Sequence, residues 1–227
     1  VRELFRVATP LVARRVVQGV FVFPLLALAA TFGPVVLAAV GVARQVRQLL
    51  NSFSWGFSIA ASTLVGQALG AGEETRAVAY GRDITTLSAV VYALSAAVVG
   101  LLATPVASVF VDGEAVAATA VFVAVAALSA LPLGVDGSVT GTLRGAGDTR
   151  VPFLATLAGL YLVALPLAYL GTETALGVVG LYLALLAETL VPMVVNVARF
   201  RTGTWLAIGR ELGPDAEPDT GEPDPTD

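Results

Sequence analysis

Glu188 lies in an otherwise apolar run, Leu176 to Ala198, near where the middle of a membrane would fall, and Pro192 follows one helical turn later. A carboxylate at bilayer depth is costly to hold and, as a rule, faces a cavity or a partner and does a job. Pro192 carries no N–H, so in a helix the Glu188 carbonyl loses its usual donor. One turn therefore presents an ionisable carboxylate beside a freed backbone oxygen, a pairing suited to H+ or Na+. The plainer alternative is a Glu hydrogen-bonded to a neighbouring helix. Asp136 repeats the arrangement: Pro132 stands one turn before it and frees the Leu128 carbonyl. It sits eight residues before Arg144, ~12 Å along a helix. Asp136 reads equally as a transport carboxylate or as an inward-facing acid paired with Arg14, Arg15 or a hydroxyl. These two are the only acids well inside apolar runs, and both are candidates for the coupling ion or proton.

Other polar residues fall at similar depth. Gln18 is the deepest polar side chain of the first apolar run. Arg44 and Arg47 share a helix face at i, i+3 and are expected near the outer end of the second helix, either bounding the external mouth of a cavity or touching lipid headgroups. Together with Pro132 and Pro192, these three are the cavity or hinge candidates. Arg14 and Arg15 are expected to snorkel towards headgroups rather than line a path. Pro24 and Pro166 lie inside spans, where helix breaks serve as bending points or line cavities. The small residues Ser88-Ala89 and Ala117-Ala118 suit close helix packing. Phe53, Trp55 and Phe57 read as packing or lipid-facing residues, with stacking on a flat aromatic cation as the alternative.

Composition fixes the solvent. Hydrophobic residues make up 56% of the 227, charged residues 13%, and mean hydropathy is +0.84. A soluble domain carries about a quarter charged residues, so this is a polytopic membrane protein. Without His or Cys, most zinc, haem and iron–sulfur sites are excluded, as is Cys/His nucleophile chemistry. No metal site, no cofactor beyond a transported H+ or Na+, no nucleic-acid partner and no enzyme activity is expected. All thirteen basic residues are Arg, and seven of the seventeen acids lie in Glu211–Asp227. The part up to Arg210 is therefore net +3 and the overall −4 belongs to the tail. Residues 206–227, rich in acids and proline, are expected to be a disordered cytoplasmic tail. The chain opens on Val1 and reads as one half of something longer.

Crossing ~30 Å of hydrocarbon takes about 20 mostly apolar residues. Six stretches qualify: about Thr9–Ala30, a long second helix starting near Val35 and ending at Leu69, Ile84–Phe110, Ala115–Thr142, Pro152–Leu170 and Leu176–Ala198. The connections Thr31–Pro34, Val111–Glu114 and Gly171–Thr174 contain no Arg. The alternate ones hold Arg76 and Arg82, then Arg144 and Arg150, and the ends hold Arg2, Arg6, Arg199, Arg201 and Arg210. By the positive-inside rule both termini are cytoplasmic, in a multi-pass protein of the cell membrane.

Two turns on the basic side share a design. Val65-Gly66-Gln67-Ala68-Leu69-Gly70-Ala71-Gly72 closes the second helix, and Leu143-Arg144-Gly145-Ala146-Gly147-Asp148-Thr149-Arg150-Val151-Pro152 joins the fourth to the fifth. Glycines suit left-handed caps, the acidic and hydroxyl residues after them suit N-caps, and Pro152 suits a first helical position. Gly-Ala-Gly is no phosphate loop here, because no strand precedes it and no lysine follows. With Ala38-Ala39-Val40-Gly41 opening the long second helix, these turns resemble the MATE family of multidrug and toxic compound extrusion transporters, over about residues 1–205.

The resemblance implies the C-terminal six-helix half of a twelve-helix transporter, partnered by an N-terminal half and by membrane lipids. It further implies antiport of a small organic cation or drug-like compound against H+ or Na+ by alternating access. The motif residues are Gly66, Gln67, Gly70, Gly72, Arg144, Gly145, Gly147, Asp148 and Thr149. Some members of the family also use acids in the first and fourth helices of this half. Here the first helix has none, and Asp136 does not align clearly, so no sodium site is carried over. The alternatives are a flippase of lipid-linked saccharides in the same broad superfamily and a non-transporting scaffold.

Overall fold

The computed structural model describes residues 2–211, and among them the secondary structure is helical throughout. The order is α1 (Arg2–Ala30), α2 (Pro34–Gly70), α3 (Glu74–Leu101), α4 (Ala103–Phe110), α5 (Ala115–Gly145), α6 (Arg150–Leu157), a π-helical segment (Ala158–Ala164), α7 (Leu165–Glu173), α8 (Val179–Thr202) and α9 (Trp205–Glu211). With α6, the π segment and α7 forming one continuous rod, six long rods make a polytopic all-α bundle. Five of them are long and apolar enough to cross a membrane. The sixth, α2, falls short in hydropathy because Arg44, Gln45, Arg47, Gln48 and Asn51 interrupt it. It is 37 residues long, or ~55 Å at 1.5 Å per residue, well beyond a hydrocarbon core of ~30 Å.

Several predicted boundaries move. The expected third span breaks at Leu102 into α3 and α4, because Pro105 removes the donor for the Leu101 carbonyl and its ring crowds that oxygen. The fifth widens into a π turn, where the Leu165 amide reaches the Leu160 carbonyl and Pro166 offers no N–H to restore the α pattern. The α7–α8 connection shifts to residues 174–178, with Gly177 at φ 54°. Residues 206–211, expected in a disordered tail, belong to α9. Trp205 is fully buried there, stacks on Phe200 at 5.6 Å and donates its indole N–H to the Phe200 carbonyl at 3.0 Å. Arg210 adds a bidentate pair with Glu74. The rest of the expected tail lies outside the described residues.

α2 and α5 form the spine. Gly137, Gly141 and Gly145 recur every fourth residue on α5 and face Ser54, Ser58 and Ser62, equally spaced on α2. A Cβ on Gly141 would stand 2.3 Å from the Ser58 carbonyl oxygen, and one on Gly145 2.7 Å from that of Ser62. Backbones this close gain dispersion contacts that the bilayer cannot replace, which is the logic of small-residue stripes in membrane helices. Ser88 of α3 is buried and donates to the Gly134 carbonyl at 2.9 Å, in keeping with the packing expected of it. Ala117 instead faces outward. Phe23 and Val109 are 75% and 78% exposed; apolar side chains left open like this require lipid or a further protein body around the bundle.

The two motif turns share one cap geometry. Gly72 and Gly147 take φ 74° and 82°, and the next amide in each bonds five residues back, Glu73 to Ala68 at 2.8 Å and Asp148 to Leu143 at 2.9 Å. That is the six-to-one bond of a Schellman cap. The acidic and hydroxyl residues do not N-cap as expected: neither Glu73 nor Thr149 makes a side-chain cap bond. Glu73 accepts from Arg76 at 2.8 Å, and buried Asp148 from Arg199 at 2.7 Å. Pro152 sits at the third position of α6, still within the turn whose amides have no helical partner.

Candidate functional site: an arginine-lined cavity

α1, α2, α5, the α6–π rod and α8 enclose a cavity of about 900 Å³. Both carboxylates singled out by sequence face it, and so do Gln18, Arg44, Arg47, Pro192 and the motif residue Arg144. The π turn shapes one wall. Gly159 leaves room for the Pro192 ring, since a Cβ there would lie 2.8 Å from Pro192 Cδ. The Tyr161 hydroxyl donates to the Val17 carbonyl at 3.0 Å and ties this wall to α1.

Glu188 is gripped by two guanidiniums from α2. Arg47 Nη2 lies 2.6 Å from Oε2 and Arg44 Nη1 lies 3.4 Å from Oε1. Arg47 is itself buried and also donates to the Leu185 carbonyl at 3.3 Å. Of the two alternatives for Arg44 and Arg47, the cavity rather than lipid headgroups is where they lie. Their i, i+3 face turns inward, because a carboxylate across the helix interface compensates them better than a rim would. The backbone oxygen freed by Pro192 receives no side-chain donor among the described residues, and the Glu188 carboxylate accepts from Arg44 and Arg47.

Asp136, also buried, has a donor on each oxygen. Arg14 Nη2 reaches Oδ2 at 3.0 Å, and Asn196 Nδ2 reaches Oδ1 at 2.7 Å while also donating to Thr140 Oγ1 at 3.3 Å. Of the partners expected for an inward-facing Asp136, Arg14 is the one observed. Pro132 is buried in α5 but does not line the cavity, and Leu128, whose carbonyl it frees, carries an exposed side chain. The expected snorkelling of Arg14 and Arg15 is corrected. Arg14 is drawn in by Asp136, and Arg15 lies over the Trp55 ring at 4.7 Å from its centroid. Trp55 thus has a cationic neighbour within the protein, while Phe53 is exposed and Phe57 packs on Tyr92 at 6.5 Å.

The remaining motif residues do not line the cavity. Gly66 lies against Gly145 at the α2–α5 crossing, Thr149 and Asp148 are buried in the turn, and Gln67 and Gly70 face outward. Asn196 was missed by sequence reasoning, although a lone amide two turns past Glu188 in an apolar run signals an inward polar position. Among the described residues no three acidic side chains converge as a metal cage would require.

Comparison with known proteins agrees with this architecture. The MatE family model matches residues 10–170. The chain is 35% identical over 208 residues to a probable multidrug resistance protein NorM of Deinococcus radiodurans, covering 88% of this chain and 46% of that protein. It is 30% identical over 207 residues to the NorM protein of Brucella suis, covering 88% and 44%. The chain thus spans about half the length of the curated relatives it matches. The crystal structure of the eukaryotic MATE transporter AtDTX14 superposes with a TM-score of 0.80 at 19% identity, over 92% of this chain and 48% of that one; this likeness concerns the fold alone. With a family model matched over most of its length and a six-rod bundle around a charged cavity, the chain belongs to the MatE family of multidrug and toxic compound extrusion transporters.

Proposed function

We propose that this chain forms one half of an exporter of drug-like organic molecules, energised by H+ or Na+ and working by alternating access against a second six-helix half. The observation that carries the reading is the Arg44–Arg47–Glu188 triad inside a cavity large enough for an organic molecule. A proton on Glu188 cancels the charge that holds two guanidiniums, so loading the ion rearranges the wall that a substrate touches. Asp136 is the second coupling carboxylate, with a smaller role because Asn196 as well as Arg14 fixes it. The ends bearing Arg76, Arg82, Arg144, Arg150, Arg199 and Arg201 face the cytoplasm of a cell membrane by the positive-inside rule. The family resemblance implies an organic cation or drug-like compound as the antiported substrate. The flippase reading draws on the same arginines, while the match to multidrug resistance proteins favours export. A passive scaffold gains nothing from burying these charges.

The test is efflux by the full-length transporter in proteoliposomes under an imposed pH or sodium gradient. Glu188→Gln removes the charge at nearly constant size and should reduce coupled efflux per folded transporter roughly tenfold, equivalent to ~1.4 kcal/mol in the barrier. Asp136→Asn should act in the same direction and less. Unchanged rate, pH dependence and sodium dependence in both variants would make the two acids structural.

A further inference from the structure

The charged side chains lining the cavity are five guanidiniums and two carboxylates, a surplus of three positive charges. The surplus is uneven. Arg44 and Arg47 share Glu188, whereas Arg14, Arg15 and Arg144 have only Asp136 near them, already engaged by Arg14 and Asn196. Arg15 rests on Trp55. Arg144 donates to the Ser58 carbonyl at 3.2 Å and to the Ser58 and Ser62 hydroxyls at 3.4 and 3.2 Å, none of them negative. Arg14 Nε is buried with no hydrogen-bond partner among the described residues. Arg144 is also close enough to Arg14 and Arg15 for their like charges to repel it. Such a cluster raises the local potential and concentrates anions.

We propose that this cavity binds an amphipathic organic anion. Its carboxylate, sulfonate or phosphate group is held by Arg14, Arg15 and Arg144, and its apolar body lies against Trp55, Leu133 and Leu160. The planar guanidinium fork matches the oxygens of such groups in pairs, and the indole offers a flat apolar face. An organic cation entering here meets three like charges with one carboxylate between them. The proposal rests on the reading of the chain as half of an exporter, and it reverses the linkage expected for a cationic substrate. Neutralising Asp136 removes a competitor for the guanidiniums, which strengthens the hold on an anion and weakens that on a cation.

The experiment uses fluorescein and rhodamine 6G, which share a xanthene core and carry opposite charge, and reads fluorescence anisotropy with the detergent-purified full-length transporter. Fluorescein should bind saturably, about threefold more tightly to Asp136→Asn and about tenfold more weakly to Arg15→Gln. Arg15 forms no ion pair and is exposed to the cavity, so its replacement spares the fold. Rhodamine 6G should respond in the opposite sense. Displacement of fluorescein by phosphatidylglycerol assigns the site to a lipid headgroup, and resistance to it assigns the site to a soluble anion; both agree with the proposal. Absence of saturable fluorescein binding, or binding indifferent to Arg15→Gln and Asp136→Asn, overturns it. If rhodamine 6G is then still exported under an ion gradient, the exporter reading stands without the anion site. Fluorescein binding in a preparation that exports neither dye leaves the anion site and removes the exporter.

Discussion

Glu188 gives the sharpest quantitative test of the fold, because its carboxylate is the only negative charge beside two guanidiniums inside the bundle. The Arg47–Glu188 contact is 2.6 Å and the two side chains are 10% and 12% exposed. Charge centres ~4 Å apart attract by about 4 kcal/mol at an effective dielectric near 20. Glu188→Gln forfeits that attraction and leaves Arg44 and Arg47 repelling each other, and breaking a buried pair from one side typically costs ~3–5 kcal/mol. The amide oxygen of Gln still accepts one hydrogen bond, which places the expected loss near ~3 kcal/mol. Combining Arg47→Met with Glu188→Gln removes the closest pair together with the repulsion between the two guanidiniums, leaving only Arg44 without its acid, and should cost less than the two single substitutions added together. In thermal unfolding of the detergent-purified full-length transporter, the single substitution should lower Tm by several degrees, taking ~2–4 °C per kcal/mol for domains of this size. A double-mutant cycle through Arg47→Met should return a coupling of ~2–3 kcal/mol. A coupling below ~0.5 kcal/mol would show that the triad is not formed in the membrane, and the inward turn of α2 would lose its cause.

Two further outcomes follow from packing and topology. Gly141→Ala forces a Cβ to within 2.3 Å of backbone at Ser58, whereas Gly70 has nothing within 4 Å. Gly141→Ala should therefore destabilise by ~2 kcal/mol or more, read as a lower Tm, while Gly70→Ala stays within ~0.5 kcal/mol of the parent; equal behaviour would refute the α2–α5 spine. Because the sequence lacks Cys, single cysteines at exposed turn positions can report sidedness: at 73 and 150 they should react with impermeant maleimide from the cytoplasmic side alone, and at 113 and 173 from outside. Labelling of 150 from outside would invert the topology.

Much of this architecture was legible along the chain. Apolar run lengths, the alternation of arginine-bearing connections and the glycine turns depend on local chemistry and on the thickness of the bilayer, so six rods and the motif caps could be placed from sequence. The long α2 could also be foreseen, since beginning it at Pro34 keeps Arg44 and Arg47 out of a connection. Local rules reached further than their use, too: Asn196 and the Gly137–Gly141–Gly145 stripe carry signals of depth and spacing that a closer reading would have caught. The π turn was less accessible, because Pro166 announces a disturbance but not whether the helix kinks, breaks or widens; the fit of Pro192 against Gly159 accompanies the widening.

The partners of the charges were decided only in three dimensions. Along the chain Arg14, Arg15, Arg44 and Arg47 could be assigned to headgroups, to a cavity or, for Arg14 and Arg15, to Asp136, and depth alone did not choose. The folded chain supplies an interior lined by Asp136, Glu188 and Trp55, whose elements are separated from those arginines by 40 to 144 positions in sequence. Periodicity shows which face of a helix a residue occupies, but not what stands opposite. Electrostatic pairing falls off with distance in space rather than along the chain, so the excess of guanidiniums over carboxylates in one cavity emerges only when α1, α2, α5 and α8 are brought together.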